Sequence, residues 1–159
     1  MILKGIVEED FVNYYKPSMV LMFPTCSFKC DHENGVSVCH NSAMAQAENI
    51  EVNIDKLIER YLENPITSAI VCSGLEPFDS RMDLHNFIST LRNTYDCDDD
   101  VVIYTGYSEK ESEEHLTWLK QYPNIYVKYG RFIPNKPLHF DSVLKVNLSS
   151  ANQYGVRVS

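Results

Sequence analysis

The chain has 159 residues, 44% hydrophobic and 23% charged, enough for one globular domain with a real core but short of a complete eight-stranded barrel. Its formal net charge of -8 argues against a broad phosphate-neutralising surface, and so against a nucleic-acid partner. No apolar run approaches the ~20 residues needed to span a bilayer, and acidic residues stand in MILKGIVEEDF where a signal peptide has its apolar stretch. A cytoplasmic, membrane-free protein is expected. In that reducing setting five cysteines point to metal or redox chemistry rather than to disulfides.

Met19 to Phe23 (MVLMF), between Pro17 and Pro24, reads as the first buried strand. A turn-rich stretch then carries three of the five cysteines, in a loop spanning 24–41. Ile54, Leu57, Ile58, Tyr61 and Leu62 form one helical stripe, with Asn53 as N-cap and Asn64-Pro65 as the stop. Ser68 to Cys72 is a second short strand running into Gly74, and a helix from about Ser80 presents Leu84, Phe87, Ile88 and Leu91. Asp100 to Tyr104 is the third strand, and Ser108 to Gln121 reads as a helix with acidic residues at its positive end. Asn124 to Lys128 reads as a fourth strand and Val143 to Leu148 as a fifth.

This alternation predicts an α/β fold: a single domain over 1–159 with a mostly parallel sheet of about five strands and right-handed crossovers. Ligands of such sheets sit outside the carboxyl ends of the strands. The cysteine loop, Ser73 to Pro77 and Thr105 to Tyr107 all fall there. Lys128, Arg131, Lys136, Lys145 and Arg157 gather in the last third and read mostly as solvated surface, the alternative being a basic edge for a protein partner or an anionic group.

Cys26, Cys30 and Cys39 are separated by three and then eight residues, with Asn34-Gly35 in the middle. That dipeptide is a strong hairpin signal, and a two-residue hairpin there makes Cys30 and Cys39 direct cross-strand neighbours. Three thiolates suit an iron–sulfur cluster with one iron left open. They equally suit zinc, with His40 or His32 completing a Cys3His set. Spacing alone leaves both open. Cys72 reads as a small core residue, Cys97 among aspartates as an exposed thiol, and His85 and His115 as surface or boundary residues.

Five segments then bear on the choice. Cys39-His40-Asn41, Ser73-Gly74-Leu75-Glu76-Pro77, Tyr104-Thr105-Gly106-Tyr107, Tyr129-Gly130-Arg131-Phe132 and Ser149-Ser150-Ala151-Asn152-Gln153 occur in this order across nearly the whole chain. The set resembles the radical S-adenosylmethionine superfamily, and within it the activating proteins of anaerobic ribonucleoside-triphosphate reductases. Two departures mark a divergent branch: eight residues rather than two between the second and third cysteines, and Leu75 where a second glycine is usual.

The resemblance implies a partial (βα) barrel and a 4Fe–4S cluster held by Cys26, Cys30 and Cys39. The open iron would bind S-adenosylmethionine, and its reductive cleavage would make a 5′-deoxyadenosyl radical. That radical would take hydrogen from a glycine of a large partner reductase, with flavodoxin or ferredoxin as electron donor. Ser73, Gly74 and Glu76 would receive the methionine amino group and Thr105 a ribose hydroxyl. Asn41 would order the cysteine loop, Asn152 would contact cofactor or loop, and Phe28 and Val38 would shield the cluster or pack beside the adenine. An incomplete barrel leaves an open side, which suits a protein substrate. The alternatives are a related enzyme acting on a peptide or purine-like base, and a zinc-binding interaction module using Cys26, Cys30, Cys39 and His40.

Overall fold

A computed structural model describes residues 1–159. The chain opens with β1 (Ile2–Leu3), β2 (Gly5–Asp10) and β3 (Ser18–Phe23). The cysteine segment holds two short helices, α1 (Lys29–Asn34) and α2 (Ser42–Ala45), and leads to β4 (Ile50–Glu51). Next come α3 (Ile54–Glu63), β5 (Ala69–Gly74), a 3-10 turn over Pro77–Ser80, α4 (Arg81–Asn93), β6 (Asp100–Tyr104) and α5 (Glu113–Leu119). The chain ends with β7 (Ile125–Tyr129), β8 (His139–Asp141), β9 (Val146–Leu148) and β10 (Tyr154–Arg157). No helix is long and apolar enough to cross a membrane.

The central sheet has six strands in the order β10-β7-β6-β5-β3-β2. β3, β5, β6 and β7 run parallel and lie in chain order, while β2 and β10 add antiparallel edges. The strand period of two divides the side chains between the faces. Met19, Leu21, Ile70, Cys72, Val101 and Val127 point to one face and meet α3, α4 and α5 in the main core. Val20, Ala69, Val71 and Val102 point to the other face, where Tyr14, Leu144 and Leu148 cover part of it. All three large helices therefore pack on one face, which sets the sheet apart from a doubly wound one.

The α3 helix forms as its pattern predicts. Asn53 accepts a hydrogen bond from the Lys56 amide at 3.0 Å, and Leu57, Ile58 and Tyr61 are buried at ≤2% exposure, the Leu57 and Ile58 side chains worth about 1.5–3 kcal/mol each. Leu62 is 47% exposed, because the stripe ends at Tyr61, whose hydroxyl bonds Asp99. The α5 helix is shorter than the expected 108–121: Glu111 accepts from the Ser108 amide and pairs with Arg131, so residues before Ser112 form a turn.

Three other expectations are corrected. The segment 143–148 is not a strand of the central sheet: Asp141 accepts from the Val143 and Leu144 amides to make a turn, and only Val146–Leu148 is extended, as β9 paired with β8. β2 and β10 supply the edges instead; the sequence GIVEED hides β2 because an edge strand tolerates charge. Cys97 is buried in the main core, since Arg92 binds the Cys97, Asp99 and Pro123 carbonyls and folds the aspartate-rich turn inward. His115 is also buried, stacked on Phe78 at 4.3 Å, whereas His85 is the half-buried boundary residue expected, edge-on to Trp118 at 4.5 Å.

At the carboxyl ends of β3 and β5, Phe23 pairs with Gly74. Gly74 has φ +91, and a Cβ there would sit 2.7 Å from the Phe23 nitrogen and 2.8 Å from the Met22 Cα. Only glycine takes that backbone with that neighbour. Past it, the Leu75 amide bonds the Phe23 carbonyl at 3.1 Å and the Glu76 amide bonds the Thr25 carbonyl at 2.7 Å. Gly74→Ala is expected to destabilise the metal-free protein by roughly 2–4 kcal/mol, measured by denaturant unfolding; a change under about 0.5 kcal/mol would show that the strand ends relax freely.

Candidate metal centre

Cys26 follows β3 by three residues. Phe28 then adopts a left-handed backbone (φ 51), and its amide points back to the Cys26 sulfur at 3.2 Å. Cys30 lies in the first turn of α1. The helix closes at Gly35 (φ 68), and the Asn34 side chain donates to the Cys30 carbonyl at 2.7 Å. Asn34-Gly35 is thus a helix terminus and not a hairpin turn. A helix end needs left-handed backbone at one residue, which glycine supplies, whereas a type I′ turn needs it at both.

Asp31 brings the chain back. Its Oδ1 accepts from both the Val38 and Cys39 amides at 2.8 Å, and Oδ2 accepts from the Ser37 hydroxyl at 3.4 Å. These donors, the Val38 amide foremost, hold the Asp31 carboxyl below its ordinary range. Cys39 is thereby returned close enough to Cys30 that its charge counts against ionising the Cys30 thiol. Burial is the larger effect there, and it pushes the Cys26 thiol up to about 12. Unligated, the Cys26 and Cys30 thiols stay protonated; a coordinated metal would ionise them.

The segment is tied to the sheet from several sides. The Asn41 amide donates to the Gly74 carbonyl at 2.6 Å, the Ser27 amide donates to Asp79 at 2.8 Å, and the Thr25 and Ser80 hydroxyls lie 2.6 Å apart. Lys29 sits 4.1 Å from the Tyr107 ring centre, and Arg131 holds Glu111 with both terminal nitrogens and reaches Glu33 at 3.3 Å.

Cys26, Cys30 and Cys39 all line one cavity of about 500 Å³ at the carboxyl ends of the parallel strands. Asn41, Ser73, Gly74, Glu76 and Thr105 line it too. Glu76 is 3% exposed; Oε1 accepts from the Thr105 hydroxyl at 2.8 Å and the Phe78 amide at 3.2 Å, and Oε2 from the Gly106 amide at 2.9 Å. Burial outweighs these three donors and raises the Glu76 carboxyl to about 7. Phe28 and Val38 are half-buried in the loop, and neither belongs to this lining. Asn152 lines a neighbouring cleft with Arg131 and Gly130, donates to the Arg131 carbonyl at 2.8 Å, and keeps its Oδ1 buried without a partner.

Two residues of the site escape motif reading. Asp31 gives no signal, because its value lies in reaching amides seven and eight positions on. Lys128, grouped in the sequence with the solvated basic residues, is instead buried: it stands on the cavity face of β7, 7% exposed, and lines the same cavity.

The donor set fits an iron–sulfur cluster. Three free thiols face one space, and each thiolate of a cluster takes a different iron, so they need not meet at a point. No three His, Cys, Asp or Glu groups converge as a single ion requires, and His40 packs against the Phe132 ring at 3.9 Å. An α/β domain with a thiol-lined cavity at its strand ends is the class so defined. A family model described as a 4Fe-4S single cluster domain matches residues 17–154, and the chain belongs to that family. No curated protein and no solved structure matches it.

Removing the Asp31 clamp should loosen the third ligand. Asp31→Ala is expected to weaken iron retention about 10–100-fold, read as iron lost to a chelator, with Asp31→Asn intermediate. Equal retention in all three proteins would refute the clamp. Glu76 makes a separate prediction for the metal-free protein. Its folded value of about 7 lies above the ordinary 4.5, so the native state holds the extra proton in that window. Its contribution is complete below about 4.5 and lost as pH rises through about 7, on the order of 1–3 kcal/mol. Denaturation of wild type and Glu76→Gln at pH 4.5 and 8 should show a smaller pH loss in the variant; equal losses would refute it.

Proposed function

We propose that the chain is a radical S-adenosylmethionine activase that makes a glycyl radical on a large anaerobic ribonucleotide reductase. The observation that carries this reading is one cavity shared by the three cysteines and the Ser73-Gly74-Leu75-Glu76 strand end. When bound, the cluster supplies the electron that splits the sulfonium of S-adenosylmethionine into methionine and a 5′-deoxyadenosyl radical.

The residues around it bind, orient and exclude. Cys26, Cys30 and Cys39 would hold the cluster, and with only three thiolates one iron would be left for the methionine amino and carboxylate groups. Both Glu76 oxygens already accept bonds, but a carboxylate has four acceptor positions and only three are filled. The remaining one suits a substrate ammonium, beside Ser73 and Gly74. Thr105 donates to Glu76 and accepts from the Tyr107 amide at 3.0 Å, so its first task is to position Glu76, with one lone pair left for a ribose hydroxyl. Asn41 keeps the loop against β5.

Four parallel strands in chain order with their helices on one face fit a partial (βα) barrel. Its two unjoined edges, β2 and β10, leave the cavity room for a glycine-bearing segment of another protein. A cytoplasmic setting suits five free thiols, and flavodoxin or ferredoxin would supply the electron.

Anaerobic reconstitution should give about four irons per chain and 5′-deoxyadenosine on adding reductant and S-adenosylmethionine. Cys39→Ser should reduce that product to background. Mixing with a reductase encoded beside this chain should give a glycyl-radical resonance. Deoxyadenosine without that resonance would move the radical to another substrate, and a colourless protein holding one zinc would overturn the reading altogether.

A further inference from the structure

Lys128 takes no part in the reading above. The β7 strand turns its neighbours Val127 and Tyr129 into the helix-facing core and so sends Lys128 to the cavity face. Its ammonium donates to the Gly130 carbonyl at 3.0 Å and the Thr105 carbonyl at 3.4 Å, leaving one of its three donors free. None of the chain's ion pairs includes it. A buried ammonium without a carboxylate partner is costly, and it persists where something anionic shares its space. Burial does lower its proton affinity, to about 8, while Glu76 and Cys30 are the charges that oppose the fall. Both groups line the same cavity.

We propose that Lys128 sets the reduction potential of the cluster held by Cys26, Cys30 and Cys39, its fixed positive charge favouring the reduced state. Uptake of one electron from an external one-electron reductant adds one negative charge to the site; no bond to Lys128 forms or breaks, and no proton leaves it. Net charge, hydrogen bonds to sulfur and exposure are the means by which a protein tunes such a couple. Hydrogen bonds to sulfur are few here: the Phe28 amide serves Cys26, while the Val38 and Cys39 amides are committed to Asp31. Charge is left as the main lever, and Lys128 is the buried cation of the cavity. The inference rests on the cluster site alone and holds whichever cosubstrate meets the open iron.

Lys128→Gln keeps two N–H donors for the two carbonyls and removes the charge; Lys128→Arg keeps the charge. Each protein is reconstituted anaerobically, assayed for iron, and titrated with dithionite and mediators while the reduced-cluster resonance is followed. Lys128→Gln should lower the equilibrium constant for reduction about tenfold, a shift of about 59 mV for one electron, with Lys128→Arg within about twofold of wild type. A fully loaded Lys128→Gln with the wild-type midpoint overturns the proposal. So does an equal fall in both variants, which would make shape rather than charge the cause. A glutamine variant that cannot hold iron while the arginine variant can assigns Lys128 to assembly, and overturns it as well.

Discussion

Beyond the ends of their sheet pairing, β3 and β5 continue side by side, and the cysteine site is built on that continuation. Gly74 lies flat against the Phe23 backbone, where any Cβ would collide, and the next two amides of the β5 chain bond the Phe23 and Thr25 carbonyls. Cys26 therefore leaves the sheet one residue after a fixed point. Glu76 is drawn into the cavity on the same ladder and passes the constraint on through Thr105 and Gly106 to the end of β6. The Thr105 amide meets the Lys128 carbonyl and the Gly130 amide the Tyr107 carbonyl, which carries the chain of bonds to β7. One continuous run of backbone and carboxylate bonds thus spans the rim of four strands.

The strand period of two does the rest of the placement. In each parallel strand one set of side chains meets the helices and the alternate set meets the cavity or its small second core. A strand such as IYVKY can therefore satisfy a dry core and supply a charged group to the site at once. The helices stay on one side because the parallel strands succeed one another in chain order, and the site shares the other side with the small core around Tyr14, Leu144 and Leu148.

The parallel core was readable in the sequence because each of its strands is a short apolar run closed by glycine or proline, and each major helix carries a regular stripe. The edges were not: β2 is half charged, and β10 follows directly on a polar turn, so neither shows the pattern of a buried strand. The three cysteines were readable as a metal group from their types and proximity, but not the path between them. Asn-Gly answers the needs of a hairpin and of a helix end alike, and the choice is made by Asp31, a carboxylate whose partners are backbone amides that no side-chain pattern reports. Cys97 was misplaced for a similar reason: its burial depends on Arg92 reaching three carbonyls, a contact invisible to local composition.

The cysteine segment precedes in the chain every residue that moors it from beyond β4. Gly74, Asp79, Glu111 and Arg131 lie about 35 to 105 positions further along, so during synthesis the thiols wait without a wall behind them. The first moorings, at Gly74 and Asp79, come with β5 and the turn after it, and the last, at Arg131, only after β7. The centre therefore gains its anchoring in stages, in the order in which β5, α5 and the segment after β7 are added.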